Sequence, residues 1–363
     1  MKSICVNVLT GIEQLEGYAE QWDYFRLQYS ADNICSSHIW LLTWCQIFLQ
    51  PDDELAIHCY FHNEQLIGIF PVYKKKITAG YQLRFIGTGE KEVEEVCSEF
   101  QDFIISPAYK SELLTLFSRA IEGMSGVVSL AFDNVLTNSI VAGWISNKDM
   151  QAWCQMKALP GNRYIIPVAE DDGKQLKSLT SKSSQRQAKK YIQHSDCRVV
   201  YATNDEQVQQ FFSELSTLHN ASWKSRGKVG VFENKNFCVF HQKLIGKLNH
   251  LSQLVLFKVI YKEQTIAVFY GIKCGSNLQY YQSGLVKIKS IPSTGMAMHV
   301  EALRYARMQG LQTYDLMKGA ADSYKNRLTE SGSQVSSITA FKKYYFWLPY
   351  YWRIQDKLSI LFR

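Results

Sequence analysis

Two stretches of the chain resemble each other in how apolar and polar positions follow one another. Leu55-Ala-Ile-His-Cys-Tyr-Phe-His-Asn-Glu-Gln-Leu-Ile-Gly68 and Leu254-Val-Leu-Phe-Lys-Val-Ile-Tyr-Lys-Glu-Gln-Thr-Ile-Ala267 each read as a strand, a polar turn and a second strand. Placing Glu64-Gln65 on Glu263-Gln264, a shift of 199 residues, also brings Ile67 onto Ile266. Matching elements flank the two hairpins. A helical run precedes each (39–48 and 237–248), and a further strand, a helix (109–122 and 295–309) and another strand (127–132 and 313–317) follow. The order helix, meandering strands, helix, strand predicts a duplicated α/β (α+β) chain, each half a mixed central sheet flanked by helices.

Between the halves, Leu159-Pro160-Gly161-Asn162 predicts a turn, residues 163–168 a strand, and Glu170-Asp171-Asp172-Gly173 another break. These place one domain over 1–165, a second over 166–340 and a tail over 341–363. A chain of 363 residues with 46% hydrophobic and 13% aromatic content has material for more than one core.

The first residues hold no long apolar run, since Asn7, Thr10 and Glu13 interrupt it, so the expectation is a cytoplasmic protein. Nine cysteines are spread singly without a CxxC pair, which suits a reducing compartment. No HExxH occurs, and His58 and His62 fall in a hairpin where a spacing of four does not put two ligands on one face, so no metal is expected. The net charge of +7 is concentrated around 182–190 and near the C-terminus, which suits an anionic partner. The tail 341–363 holds nine aromatics and five basic residues against one acid, a composition suited to the headgroup region of an anionic membrane surface, so peripheral contact with the inner membrane is expected of it.

Chemistry is concentrated in 281–327. Ile291-Pro292-Ser293-Thr294-Gly295 breaks the preceding strand and supplies hydroxyl caps to the next helix, whose free amides face an opening and attract phosphate. Elsewhere, Trp223, Lys224 and Arg226 beside a glycine-bearing loop suit a sugar face or a phosphate. Arg186, Lys189 and Lys190 form one basic helical face, suited to a nucleotide diphosphate or a lipid phosphate or simply to solvent.

Six segments in order, Glu99-Phe100-Gln101-Asp102, Leu218-His219-Asn220-Ala221-Ser222-Trp223-Lys224-Ser225-Arg226-Gly227, Tyr281-Gln282-Ser283-Gly284, Ser293-Thr294-Gly295, Tyr314-Asp315-Leu316 and Tyr324-Lys325, make the chain resemble the CelD-like acyltransferases. These are GNAT-superfamily proteins linked to cellulose and exopolysaccharide synthesis, and are related to the FemABX aminoacyltransferases. The resemblance covers about residues 20–340. It implies two GNAT-like domains facing a shared cleft, and transfer of an acyl group, acetyl by preference, from acyl-CoA to an amine or hydroxyl of a sugar, a nucleotide-sugar or a lipid-linked glycan. Acetyl-CoA or another acyl-CoA would be a cosubstrate, with no tightly bound cofactor.

The resemblance also implies site residues. Donor binding falls on Ser283, Gly284, Ser293, Thr294, Gly295, Met296 and Ala297. Gly295-Met296-Ala297 supplies the small residues of the GNAT phosphate turn; Pro292 stands where that turn has Gln or Arg, so Lys287 or Lys289 would bring the positive charge. Asp102, with Glu99 second, is implied as base or acceptor ligand, and a strand over 97–105 is expected to carry both. Tyr324-Lys325 resembles the Phe-Lys pair whose lysine neutralises charge on the reacting carbonyl, and Asp315 either orients Lys325 or caps a turn. Trp223, Lys224 and Arg226, with Arg186 and Lys190 of the basic face, are the expected acceptor contacts from their own chemistry. No Ser or Cys sits in a nucleophile elbow, so direct transfer is expected. Two alternatives remain: an aminoacyl-tRNA donor, for which no long coiled-coil arm is visible between Asp205 and Leu251, and a binding module that has lost catalysis.

Overall fold

The structure is a computed structural model that describes residues 4–147, 150–194, 196–291, 293–330 and 332–345. Pro292 and most of the aromatic tail, 346–363, lie outside the described residues.

The first half runs β1 (Ile4–Leu9), α1 (Ile12–Glu16), α2 (Ala19–Tyr29), α3 (His38–Phe48), β2 (Glu54–Leu55), β3 (Ile57–His62), β4 (Gln65–Phe70), β5 (Val72–Ile77), β6 (Gly80–Phe85), β7 (Ile104–Ile105), α4 (Lys110–Gly123), β8 (Val127–Leu136) and α5 (Ile140–Ile145). After β9 (Trp153–Pro167), the second runs α6 (Asp172–Ser178), α7 (Lys182–Ile192), β10 (Cys197–Tyr201), α8 (Asp205–Lys224), α9 (Lys235–His250), β11 (Leu254–Tyr261), β12 (Gln264–Cys274), β13 (Asn277–Leu285), α10 (Thr294–Met308), β14 (Thr313–Gly319) and β15 (Gln334–Lys342).

The repeated hairpins match in detail. Each turns on two residues with positive φ, Asn63 and Glu64 (49° and 62°) and Lys262 and Glu263 (44° and 64°), the twist that a two-residue hairpin loop requires. The β3–β4 register slips between Tyr60 and Phe61, and the β11–β12 register slips between Val259 and Ile260. These positions are again 199 residues apart, so turn and bulge are duplicated together. The equivalent helices α3 and α9 pack on one another, with the Trp40 and Phe240 rings 4.9 Å apart, inside a core cluster that the two halves share.

Among the described residues the strands form two sheets, one ordered β1-β3-β4-β7 and an eleven-stranded one ordered β10-β11-β12-β13-β14-β9-β15-β8-β6-β5-β2. The turn expected at 159–162 is instead a bulge inside β9, a continuous strand of 15 residues. The bulge lies opposite Val335 and Ser337 of β15. Gly161 permits it: its φ is +155°, and a Cβ there would come within 2.2 Å of the Gly319 carbonyl oxygen. Pro160 and Gly161 therefore bend a strand that pairs with β15 along its first part and β14 along its last. β15 in turn pairs with β8 of the first half. The end of the second half is thus built into the sheet of the first.

Candidate functional site

The site begins where the large sheet opens. β13 and β14 are parallel neighbours, but they pair only over Asn277–Gln279 and Thr313–Asp315. Beyond these residues β13 follows β12 through a bulge at Tyr270/Gly271. β14 breaks register against β9 between Asp315 and Lys318, where Met317 has φ of 62°. The strands part, leaving a gap between them.

α10 starts beside this gap, since a Cβ on Gly295 would meet Leu285 at the end of β13 at 3.6 Å and nothing nearer. Ser293 caps the helix, its Oγ accepting from the Met296 amide at 3.1 Å. The amides of Thr294 and Gly295 belong to the first turn, where no helical carbonyl precedes them. Ala297, Ala302 and Ala306, all fully buried, let the rest of α10 lie close on the sheet.

Hydroxyl groups collect at the gap. The Tyr280 hydroxyl lies 2.6 Å from Ser283 Oγ and shares a hydrogen bond with the Tyr324 hydroxyl. His299, one turn along α10 from Gly295, bonds the Tyr314 hydroxyl through Nδ1 at 2.8 Å. Its ring lies 5.5 Å from that of Tyr280 and 6.0 Å from that of Tyr324. Burial, helped by the nearby Lys325 ammonium, pushes His299 down to about 3, so it is neutral at physiological pH. Tyr324 keeps 45% of its surface open, while desolvation of its hydroxyl raises its pKa. It is a protonated phenol at the mouth of the gap, able to donate a hydrogen bond there.

Behind the gap is a buried ionic cluster. The segment expected to be a strand over 97–105 is strand only at Ile104–Ile105. Residues before it bend through positive φ at Cys97 (52°) and Phe100 (60°), and Asn33 holds the bend by donating to the Glu99 and Phe100 carbonyls. The bend sends the Glu99 carboxylate inward to accept from the Lys318 amide of β14 at 2.7 Å. Burial raises the Glu99 pKa against the opposing pull of Lys318 and Lys325. Lys325 turns inward too, its Nζ donating to the Leu316 and Lys318 carbonyls of β14, and burial lowers its pKa. Asp315, fully buried, accepts from Arg163 Nη2 at 2.6 Å and from the Met317 amide at 2.8 Å, so its contacts are those of a turn cap and an arginine partner. Arg163 also lies over the Phe100 ring at 4.7 Å. Glu99 and Lys325 thus hold the same strand from the two halves, at the Lys318 amide and at the Leu316 and Lys318 carbonyls, along one wall of the gap.

Asp102 is turned to another task. Its Oδ1 accepts from the Phe103 and Val141 amides and its Oδ2 from the Ile140 amide, which places the carboxylate at the start of α5 as a cap. Burial still outweighs these bonds and raises it to about 6. The folded chain therefore binds this proton at higher pH than the unfolded chain, whose value is near 3.8, and stability from this group falls as pH rises from about 4 to about 6. Asp102→Asn keeps one oxygen as an acceptor but turns an NH2 group toward at least one of the three amide donors. We expect a loss of about 1–2 kcal/mol in urea unfolding at pH 4, where the unaltered group is neutral in the folded chain, a flattened pH 4–6 slope that shrinks this loss by pH 7, and unchanged donor affinity. A variant of full stability without activity would return Asp102 to the chemistry.

The remaining expected residues divide between the gap and the surface. Ser283 is at the gap, its carbonyl bonded by His219 Nδ1 at 3.1 Å. Gly284 serves packing: a Cβ there would lie 2.7 Å from Leu218 Cβ and 2.8 Å from the Leu215 carbonyl oxygen of α8. Lys287 and Lys289 are exposed beyond β13. Trp223 closes α8, with Arg226 4.7 Å and Lys228 5.7 Å from its ring centre and His219 one turn before it, while Lys224 points to solvent. Arg186 and Lys190 are exposed on α7, whose inner face is Ser184, Ala188 and Tyr191. Tyr280, His299, Arg163 and Lys318 escaped the sequence reading. His299 alone had a signal, its place four residues after Gly295 and so on the same helix face.

Residues 179–326 match the family described as the acetyltransferase (GNAT) domain. Among solved structures, FemX is similar over 91% of this chain and 97% of its own, with 11% identity and a TM-score of 0.64. A conserved protein of unknown function from Bacteroides thetaiotaomicron is similar over 93% and 100%, with 13% identity and a TM-score of 0.56. L-PGS from Bacillus licheniformis is similar over 89% and 92%, with 9% identity and a TM-score of 0.50. No curated protein sequence matches the chain. The fold is a mixed α/β one, and the match on the second half supports an acyltransferase.

Proposed function

We propose that the chain moves an acyl group from a CoA thioester to an amine or hydroxyl of a saccharide, nucleotide-sugar or lipid-linked glycan in exopolysaccharide or envelope synthesis. The observation that carries this reading is the parting of β13 and β14 beside the start of α10. The donor pyrophosphate lies against the Thr294 and Gly295 amides, and the thioester enters the gap. The acceptor attacks the carbonyl carbon, forming a C–N or C–O bond as the C–S bond breaks. Tyr324 donates a hydrogen bond to the departing thiolate, and the proton released by the acceptor passes through solvent to that sulfur, leaving CoA as its free thiol. The acceptor class rests on the resemblance to CelD-like acyltransferases and on the Trp223–Arg226 stack near Ser283.

The FemX-like fold over most of the chain favours a second reading, an aminoacyl-tRNA donor. Calorimetric titration with acetyl-CoA separates the two. Saturable binding is the expected result; no binding, together with tRNA affinity that falls steeply with salt, would replace the first reading by the second. Neither ligand binding would leave a binding module.

A further inference from the structure

We infer that the groove between α8 and α9 is a binding site for an uncharged saccharide, separate from the gap. This goes beyond the acyl-transfer reading and does not depend on it. The groove encloses about 340 Å³, within the range of about 300–1,000 Å³ usual for small-molecule sites. Gln209, Ser213, Ser216 and Asn220 follow one another at steps of four, three and four, so they form one stripe of α8, and Cys238 and Gln242, four apart, face them from α9. Phe212, buried and edge-on to Phe232 at 5.6 Å, closes the floor. Neighbouring helices ordinarily oppose apolar side chains along such stripes. Here hydroxyls and carboxamides stand there instead, and the helices leave a groove. On another side of α8, Leu215 and Leu218 pack on Gly284 and His219 bonds the Ser283 carbonyl, so the helix stands between the groove and the gap.

The chemistry of the lining selects the occupant. No Asp, Glu, Lys, Arg or His lines the groove, so a charged ligand would shed its hydration there and meet no counter-charge. Apolar lining is confined to Phe212 and Cys238, too little for an alkyl chain or for the apolar face of a partner helix. Both walls are helices with their backbone already paired, so no strand edge is offered to an extended peptide. What is left is a set of neutral donors and acceptors. Ser216 Oγ donates to the Phe212 carbonyl at 2.9 Å and Thr217 Oγ1 to the Ser213 carbonyl at 3.0 Å, which leaves the lone pairs of both hydroxyls for an incoming O–H. The exposed carboxamides of Gln209 and Gln242 add a donor and an acceptor each at the rim. Asn220 Oδ1 is buried against Gly230 without a hydrogen-bond partner, and since half a turn exchanges the two ends of that amide, a hydroxyl reaching Asn220 from the groove can pair it. A sugar ring, uncharged and ringed with hydroxyls, matches this lining.

Titrating the full chain with maltotetraose, cellotetraose and N-acetylated chitotetraose, three neutral oligosaccharides, tests the inference. At least one should bind saturably with a Kd of about 1 mM or tighter, and that affinity should be the same at low and high salt. Gln242→Ala, at the exposed rim, should weaken it about fivefold, the worth of one neutral hydrogen bond, and Ser216→Phe, which fills the middle of the groove, by about tenfold or more. Cys238 reports the place in the unaltered protein: the sugar at about ten times its Kd should slow alkylation of this thiol by iodoacetamide about tenfold, while the exposed Cys5 and Cys154, outside the groove, react as before. No saturable binding by any of the three, or affinity that falls steeply with salt, overturns the saccharide assignment, and so does binding of N-acetyl-tetraglycine amide in their place. Sugar affinity unchanged in both variants, or Cys238 left unprotected, overturns the placement between α8 and α9. None of these measurements uses a thioester, so their failure leaves the acetyl-CoA titration to judge the acyl-transfer reading by itself.

Discussion

Lys325→Met is expected to lower stability by about 3 kcal/mol in urea unfolding and to weaken acyl-CoA binding, with both losses arising from one cause. The ammonium bridges the Leu316 and Lys318 carbonyls on the stretch of β14 that has left its register with β9, and it faces Glu99 from the other half. Methionine matches the length of the stem but leaves two carbonyls unmet and the Glu99 charge buried beside fewer cations. β14 should then relax toward β13 and narrow the gap. Coupling follows from the same geometry. Glu99→Gln keeps an acceptor for the Lys318 amide while removing the charge, so the double variant should be less destabilised than the sum of the singles. If Lys325 instead works only by neutralising charge on the reacting carbonyl, the urea midpoint will stay in place while kcat alone collapses. That division between stability and turnover distinguishes a positioning lysine from a catalytic one.

The difference between the two roles also shows what the chain displays in sequence. The hairpins were legible down to their turns because alternation and a two-residue polar turn are local properties, and the bulges at Tyr60 and Val259 lie within the same copied segments. α10 was legible from its caps. Asp102 was not, because its three donors include two, Ile140 and Val141, that arrive from a helix nearly forty residues later. Glu99 is expected on a strand and stands instead on a bent loop. Its inward turn depends on Asn33 holding a loop in positive φ, and no periodicity in 97–105 encodes that distant support. Pro160-Gly161 misled for a related reason. The pair signals a turn wherever the chain is free to reverse, but here strands on both sides of β9 hold it extended, and the bend is absorbed as a bulge. Lys325 is legible as a cation, but the carbonyls it holds lie on the stretch where β14 breaks register with β9, which no local pattern encodes.

The two glycines of the proposed donor site should behave in opposite ways. At Gly284 even a methyl group meets Leu218 Cβ at 2.7 Å and a backbone oxygen of α8 at 2.8 Å, so Gly284→Ala should destabilise the second half by about 1–3 kcal/mol. Donor binding would suffer only as a consequence of α8 moving. At Gly295 the nearest atom is a flexible leucine methyl at 3.6 Å, so the fold gives no packing reason for glycine. Gly295→Glu places a carboxylate in the first turn of α10, where it favours the helix dipole, and the melting temperature should hold or rise slightly. The same charge would sit where the donor phosphates are proposed to rest, blocking the amides and repelling the ligand. Acyl-CoA affinity should fall by about a hundredfold or more, since both a steric and a like-charge penalty apply. Gly295→Ala, with room for its methyl and no charge, should lie close to the unaltered protein in stability and lose only a small part of the affinity. Stability and donor binding moving in opposite directions at one position is a result that damage to the fold cannot produce. Unchanged acyl-CoA binding by Gly295→Glu would move the phosphates away from α10, and with them the assignment of the gap between β13 and β14.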